Sequence, residues 1–139
     1  MDRKDIEVNL AKLNSSYSIN DGISLAEVSE AEKQLGLKLP NEIVSLYQNF
    51  NGFQVDKPML ELYTIKDLKN HNNLLEFAKF NGSEPVGFDY SQTNQADQWN
   101  IVSVNTNYVI TFTIASFLTN KIWAWLHRNR EIWAEEIYT

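Results

Sequence analysis

The 139-residue sequence contains no cysteine, only two histidines, three prolines and five glycines. Without cysteine, disulfide scaffolds, thiolate zinc sites, iron–sulfur clusters and cysteine nucleophiles are excluded. The glycines, at 22, 36, 52, 82 and 87, never cluster, so there is neither a phosphate-binding loop nor a dinucleotide fingerprint. His71 and His127 stand in no metal-binding spacing such as HExxH, and no serine lies in G-x-S-x-G. Apolar runs are only a few residues long, far short of a membrane span. The start, MDRKDIEVNL, carries charges where a secretory signal has an apolar run, so a cytoplasmic location is expected. Basic residues are also scarce: 12 Lys and Arg against 18 Asp and Glu leave a net charge of −6. So acidic a chain lacks the electrostatic footprint of a nucleic-acid or anionic-membrane binder and suits a basic partner.

What is present is ordinary globular material, 43% hydrophobic and 22% charged. The length matches one hydrophobic core, and no Gly- or Pro-rich linker interrupts it, so residues 1–139 are expected to form a single domain. A core of this size needs no metal or cofactor to hold it, and none is expected. Asparagine is overused, with sixteen copies, many in pairs and clusters that suit turns.

Ile6, Leu10, Leu13 and Tyr17 recur at helical spacing and predict a first helix of about four turns, broken by Asn20-Asp21-Gly22. Ser24, three residues before Glu27, opens a second helix as a capping box; Val28, Ala31 and Leu35 form its buried stripe and Gly36 stops it. Pro40 is placed as the first residue of a third helix, lined by Ile43, Leu46, Tyr47 and Phe50 and closed by Asn51-Gly52. The period then changes. Strands are predicted near 59–63, 86–90, 99–104 and 108–114, the last two joined through Asn105-Thr106-Asn107, with a short turn capped by Thr64 and a short helix over 74–79. Ser116 is expected to cap a last helix carrying Phe117, Leu118, Ile122, Trp125 and Leu126, and a short helix is expected to dock the tail, 128–139, through Ile132, Trp133 and Ile137. Helices first, an antiparallel meander next and a helix last describe an α+β domain with N-terminal helices and a C-terminal helix packed on the sheet. Ile43, Leu46, Phe50, Leu62, Ile101, Val109, Phe112, Phe117 and Ile122 are expected to be buried.

No catalytic constellation emerges. Asp89-x-Ser91-x-Thr93 starts like a calcium loop, but Asn94 stands where the turn glycine belongs and Asn100 where the bidentate glutamate belongs. His71, in a run of asparagines, reads as a solvated loop residue, and His127 as a helix-terminal one. Trp123 falls off the buried stripe of the last helix. The expectation is a protein without enzymatic activity. One surface does stand out. Between Phe80 and Asn120 there is no Lys or Arg, while Glu84, Asp89 and Asp97 are present beside Tyr90 and Trp99, with Phe88 and Tyr108 in the same stretch. Acid to steer a basic partner and aromatic rings to anchor it make Glu84, Asp89, Tyr90, Asp97 and Trp99 the candidate partner-binding residues.

Residues 28–52, VSEAEKQLGLKLPNEIVSLYQNFNG, carry an ordered pattern: acidic Glu32, Leu35-Gly36, Leu39-Pro40, an apolar helix, then Asn51-Gly52. This pattern resembles the SUKH superfamily, which contains the yeast cell-wall-assembly regulators and many bacterial toxin-immunity proteins. Ala115-Ser116-Phe117-Leu118 is similar to that family's entry into its last helix, while Gly87-Phe88-Asp89 stands where many members carry a Gly-Asp turn. The resemblance implies an α+β domain with a non-enzymatic binding role, in bacterial members commonly the neutralisation of a toxin, often a nuclease. Two functions follow from it: an immunity protein that binds a basic toxin domain, or an intracellular regulatory or scaffold module akin to the yeast members. A large toxin gene directly upstream would favour the first. No feature of the sequence specifies an oligomeric state.

Overall fold

In the computed structural model, which describes residues 2–135, an eight-stranded antiparallel sheet is flanked in sequence by N-terminal helices and a C-terminal helix, with one strand falling between the first two helices. Helix α1 (Arg3–Ala11) opens with a reciprocal cap between Asp2 and Asp5 and buries Ile6 and Leu10. It ends at Ala11, well before Tyr17, because the Asn14-Ser15-Ser16 segment bonds elsewhere. Ser15 Oγ accepts from the Lys57 amide at 2.8 Å and the Ser16 carbonyl from the Asp56 amide at 3.0 Å. Serine and asparagine compete with helical backbone bonding in this way. Tyr17 therefore starts strand β1 (Tyr17–Asp21), which also absorbs Asn20 and Asp21 of the expected turn.

Helix α2 (Leu25–Leu35) has the expected Ser24–Glu27 capping box and ends at Gly36, whose φ is 67°. In α3 (Asn41–Asn49), Pro40 is the cap residue just outside the helix, and Ile43, Leu46 and Tyr47 face the core. Phe50 and Asn51-Gly52, expected to finish this helix, belong instead to β2 (Phe50–Val55), where Phe50 is fully buried.

The remaining strands are β3 (Leu60–Leu62), β4 (Lys69–His71), β5 (Leu74–Phe80), β6 (Glu84–Asp89), β7 (Asn100–Ser103) and β8 (Val109–Thr111), with a 3-10 turn at Ile65–Asp67. They pair in the order β1-β2-β3-β5-β6-β7-β8, all antiparallel, with β4 alongside the first half of β5. Ile19, Phe53, Leu62, Ala78 and Val86 lie in one cross-strand row that joins the core; Ser18, Gln54, Glu61, Lys79 and Pro85 occupy the next row, on the opposite face.

Where a short helix was expected over 74–79, the chain is strand. A register shift between Glu76 and Ala78 makes Phe77 an extra residue, and its ring turns inward to stack on Phe88 with centroids 4.0 Å apart. A second shift, in β8, puts Ile110 in the core and leaves Val109 39% and Phe112 59% exposed. Those two, expected to be buried, are corrected by this bulge, which changes the side on which neighbouring residues emerge. The other seven residues expected in the core are buried. Turns draw on the asparagine excess: among the described residues six non-glycine residues have positive φ, of which five are asparagine and the sixth is Asp97.

Thr113, not Ser116, caps the final helix, accepting from the Ser116 amide at 3.1 Å, while the Ser116 hydroxyl meets that of Thr111. The helix runs as a turn, α4 (Ile114–Ser116), a π-helical stretch (Phe117–Lys121), then α5 (Ile122–Arg128). It closes at Asn129, and residues 130–135 turn rather than continue as helix. Trp133 nonetheless docks, with its ring 5.1 Å from Trp125 and 5.7 Å from Phe80. Ile137 lies outside the described residues. Trp123 is half-buried, bonded through its indole N–H to the Leu118 carbonyl. No described helix is long and apolar enough to cross a membrane.

Candidate partner-binding surface

The acids and aromatics of the middle segment fall at the two ends of β6. Glu84 is its first residue, opposite Phe80; Asp89 is its last, opposite Leu74 and Asn100. Five residue steps of a strand separate them by roughly 17 Å. Glu84 is therefore not part of one patch with the others. Asp89, Tyr90, Asp97 and Trp99 do come together, at the end where residues 90–99 link β6 to β7.

That loop is wired by Asn94. Its Nδ2 donates to Asn100 Oδ1 and to the Phe112 carbonyl, both at 2.8 Å, and its Oδ1 accepts from the Ala96 amide at 2.8 Å and the Gln98 amide at 3.3 Å. Asp89 Oδ1 accepts from the amide and hydroxyl of Ser91, so its carboxylate both shapes the turn and places charge there. Asp97 is exposed and left-handed, with its amide donating to the Asn94 carbonyl. Tyr90 and Trp99 are half-buried with centroids 5.7 Å apart; the Tyr90 hydroxyl donates to Asn70 Oδ1, and Trp99 also packs on Phe88. Phe88 is core, and Tyr108 lies at the Glu84 end beyond the Asn105–Asn107 turn. The sequence pointed to none of the exposure of Phe112 or the role of Asn94. A signal for the latter exists in the Asn-x-x spacing of an Asx turn.

A second cluster sits on the face of the sheet opposite the core row. Glu76, in the β5 bulge, is only 5% exposed. The Tyr63 hydroxyl donates to its Oε2, His71 Nε2 lies 2.8 Å from Oε1, and Lys69 Nζ lies 3.9 Å from Oε2. His71 is thus solvent-exposed, as expected, but it is a strand residue bonded to a buried carboxylate and not a loop residue. Burial, and next the bond to Glu76, push the Tyr63 hydroxyl well above the ordinary tyrosine range; burial does the same to Tyr47, with the charge of Asp67 adding to it. Among the described residues, no group of three or more His, Asp or Glu converges as a metal site would require.

The α2–α3 corner has its own geometry. The Gly36 and Leu37 amides both donate to the Glu32 carbonyl, and the Glu32 carboxylate reaches past them to accept from the Leu39 amide at 2.7 Å. Asn70 Nδ2 ties the Leu35 carbonyl to β4. Asn51 Oδ1 accepts from the Ile65 amide, and Gly52 lies against the β3 backbone, with the Leu62 carbonyl oxygen 2.4 Å from where a Cβ would stand. Residues 22–136 match the sequence profile of the SMI1 / KNR4 family (SUKH-1). The chain belongs to this family. Among curated proteins nothing matches it significantly. In this SUKH-1 chain Glu32, Leu35, Gly36, Leu39, Pro40, Asn51 and Gly52 do structural work: they stop a helix, hold the next at its start and lock β2 to β3. Helix α1 and β1 lie before the matched span.

Glu32→Ala is expected to destabilise the SUKH-1 domain by about 1–3 kcal/mol, the penalty for a part-buried N–H left without its partner. Glu32→Gln, which keeps an acceptor, is expected to lose distinctly less. Urea unfolding midpoints check both, and equal losses would mean that the charge, not the bond, matters.

Proposed function

We propose that this SUKH-1 chain is a non-enzymatic cytoplasmic binding protein, an immunity protein that binds and neutralises a cognate bacterial toxin with a basic surface, such as a nuclease. The supporting observation is the β6–β7 end of the sheet, where Asp89 and Asp97 stand beside Tyr90 and Trp99 in a stretch with no Lys or Arg from 81 to 119. The family membership supports a binding role, and the net charge of −6 favours a basic partner.

The test is kinetic. Asp89→Asn and Asp97→Asn remove charge while keeping an acceptor for Ser91 and a residue type that tolerates positive φ. Against a cognate toxin, sought in the neighbouring genes, the double variant is expected to associate about 3–10-fold more slowly at low salt and to lose much of its salt dependence. An unchanged on-rate would move the docking surface elsewhere. A neighbouring gene that encodes no toxin, with the chain recovered on a regulatory complex, would favour the scaffold role of the yeast members.

A further inference from the structure

We infer that the groove beside Phe112 is an arginine-receiving site: the exposed ring is a platform for a guanidinium of a basic protein partner, with Asp97 as the counter-charge. The inference rests on the binding role proposed above and names the contact through which it acts.

Phe112 is 59% exposed, more than any other described Phe, Tyr or Trp. Phenylalanine normally hides its ring. Here the backbone around it is held: the Phe112 carbonyl by Asn94 Nδ2, the Ile114 amide by Gln98 Oε1 at 3.1 Å, and Thr113 as a helix cap. The ring borders a groove of ≈ 670 Å³ shared with Asn94, Gln95, Ala96, Asn100 and Thr113. None of those residues is a cation, and exposed Gln95 offers an amide oxygen, while those of Asn94 and Asn100 already accept hydrogen bonds within the loop. Asp97, exposed, is bonded to the same Asn94 that holds Phe112. Lys121 and Arg130 line a different groove, with Tyr108. Strand β8 is the last in the sheet order and has a partner strand on one side only among the described residues.

A flat guanidinium can lie on an aromatic face while its in-plane N–H groups reach a carboxylate and an amide oxygen; a lysine ammonium does the first less well and the second at one point only. Nucleic acid is a poor occupant of so acidic a surface. A second copy brings its own net charge of −6, and its Arg3 is already engaged by Glu7 and Asp21.

The experiment titrates two end-blocked pentapeptides, Gly-Arg-Gly-Arg-Gly and its lysine equivalent, into the labelled protein and follows backbone amide shifts. The arginine peptide is expected to shift Ala96, Asp97, Gln98 and Thr113 saturably, with Kd on the order of 1 mM. The lysine peptide is expected to bind about 2–5-fold more weakly, and Phe112→Ala to reduce the arginine peptide to that level. Circular dichroism confirms that the variant is folded. Shifts that map elsewhere, no saturable binding, or equal binding of both peptides that ignores Phe112→Ala overturns the site. So does a dimer in sedimentation that dissociates in Phe112→Ala, since the occupant would then be a second copy. A cognate toxin that binds Phe112→Ala as tightly as the parent overturns the site and leaves the immunity role standing. Arginine-selective binding here without any toxin partner would sink that role alone.

Discussion

Replacing Gly52 by alanine is expected to unfold the domain or cost it about 3 kcal/mol or more, among the largest effects a single methyl group can have. Two penalties act together. The φ of Gly52 is 77°, which costs an L-residue about 1–2 kcal/mol. Its Cβ would stand 2.4 Å from the Leu62 carbonyl oxygen and 2.7 Å from that of Tyr63, both backbone atoms, so the β2–β3 seam itself must open. Gly36→Ala separates the two penalties. Its φ is 67°, yet a Cβ there meets nothing within 4 Å, so only the conformational cost of about 1 kcal/mol applies. Urea unfolding of both variants checks the ranking. If Gly52→Ala is no worse than Gly36→Ala, the approach of β2 to Tyr63 is looser than described.

Phe77→Ala is expected to cost about 3–5 kcal/mol, as for a large aromatic removed from a packed core. The ring stacks on Phe88 at 4.0 Å and meets the edge of Phe117 at 5.3 Å, with no solvent side into which the site can relax. Phe112→Ala, at the exposed rim, is expected to change stability by less than about 0.5 kcal/mol. From the sequence, Phe112 is expected in the core and Phe77 in a short helix over 74–79, so the two variants measured side by side test the bulged arrangement. Comparable losses would count against the bulge in β8.

The parts of the fold legible in the sequence are those governed by contacts between near neighbours. Ser24 with Glu27, Gly36 at its left-handed stop and Asn107 in its turn each follow from chemistry within a few residues. Strand β5 escaped because its bulge breaks the two-residue period: Leu74, Leu75 and Ala78 then fall at helical spacing while Phe77 is carried inward. Tyr17 extended the apolar stripe of α1, but Ser15 and Ser16 bond to the β2–β3 connection, a partner remote in sequence. The same division holds for the surface. Asp89, Tyr90, Asp97 and Trp99 flank one loop and so meet; Glu84 is near them in sequence but a strand's length away in space. Glu76 was illegible because a carboxylate in an apolar run declares nothing until Tyr63, just past β3, and His71, in β4, arrive beside it.

The wiring of residues 90–99 by Asn94 also fixes where conformational entropy is lost. Freezing a backbone takes about 1–2 kcal/mol per residue, so a floppy ten-residue loop would levy a heavy toll at the moment of encounter. Here four hydrogen bonds from one amide side chain transfer that loss to folding. For a partner docking at this end as proposed, the free and occupied forms are expected to differ by side-chain rotations rather than by a rearranged backbone.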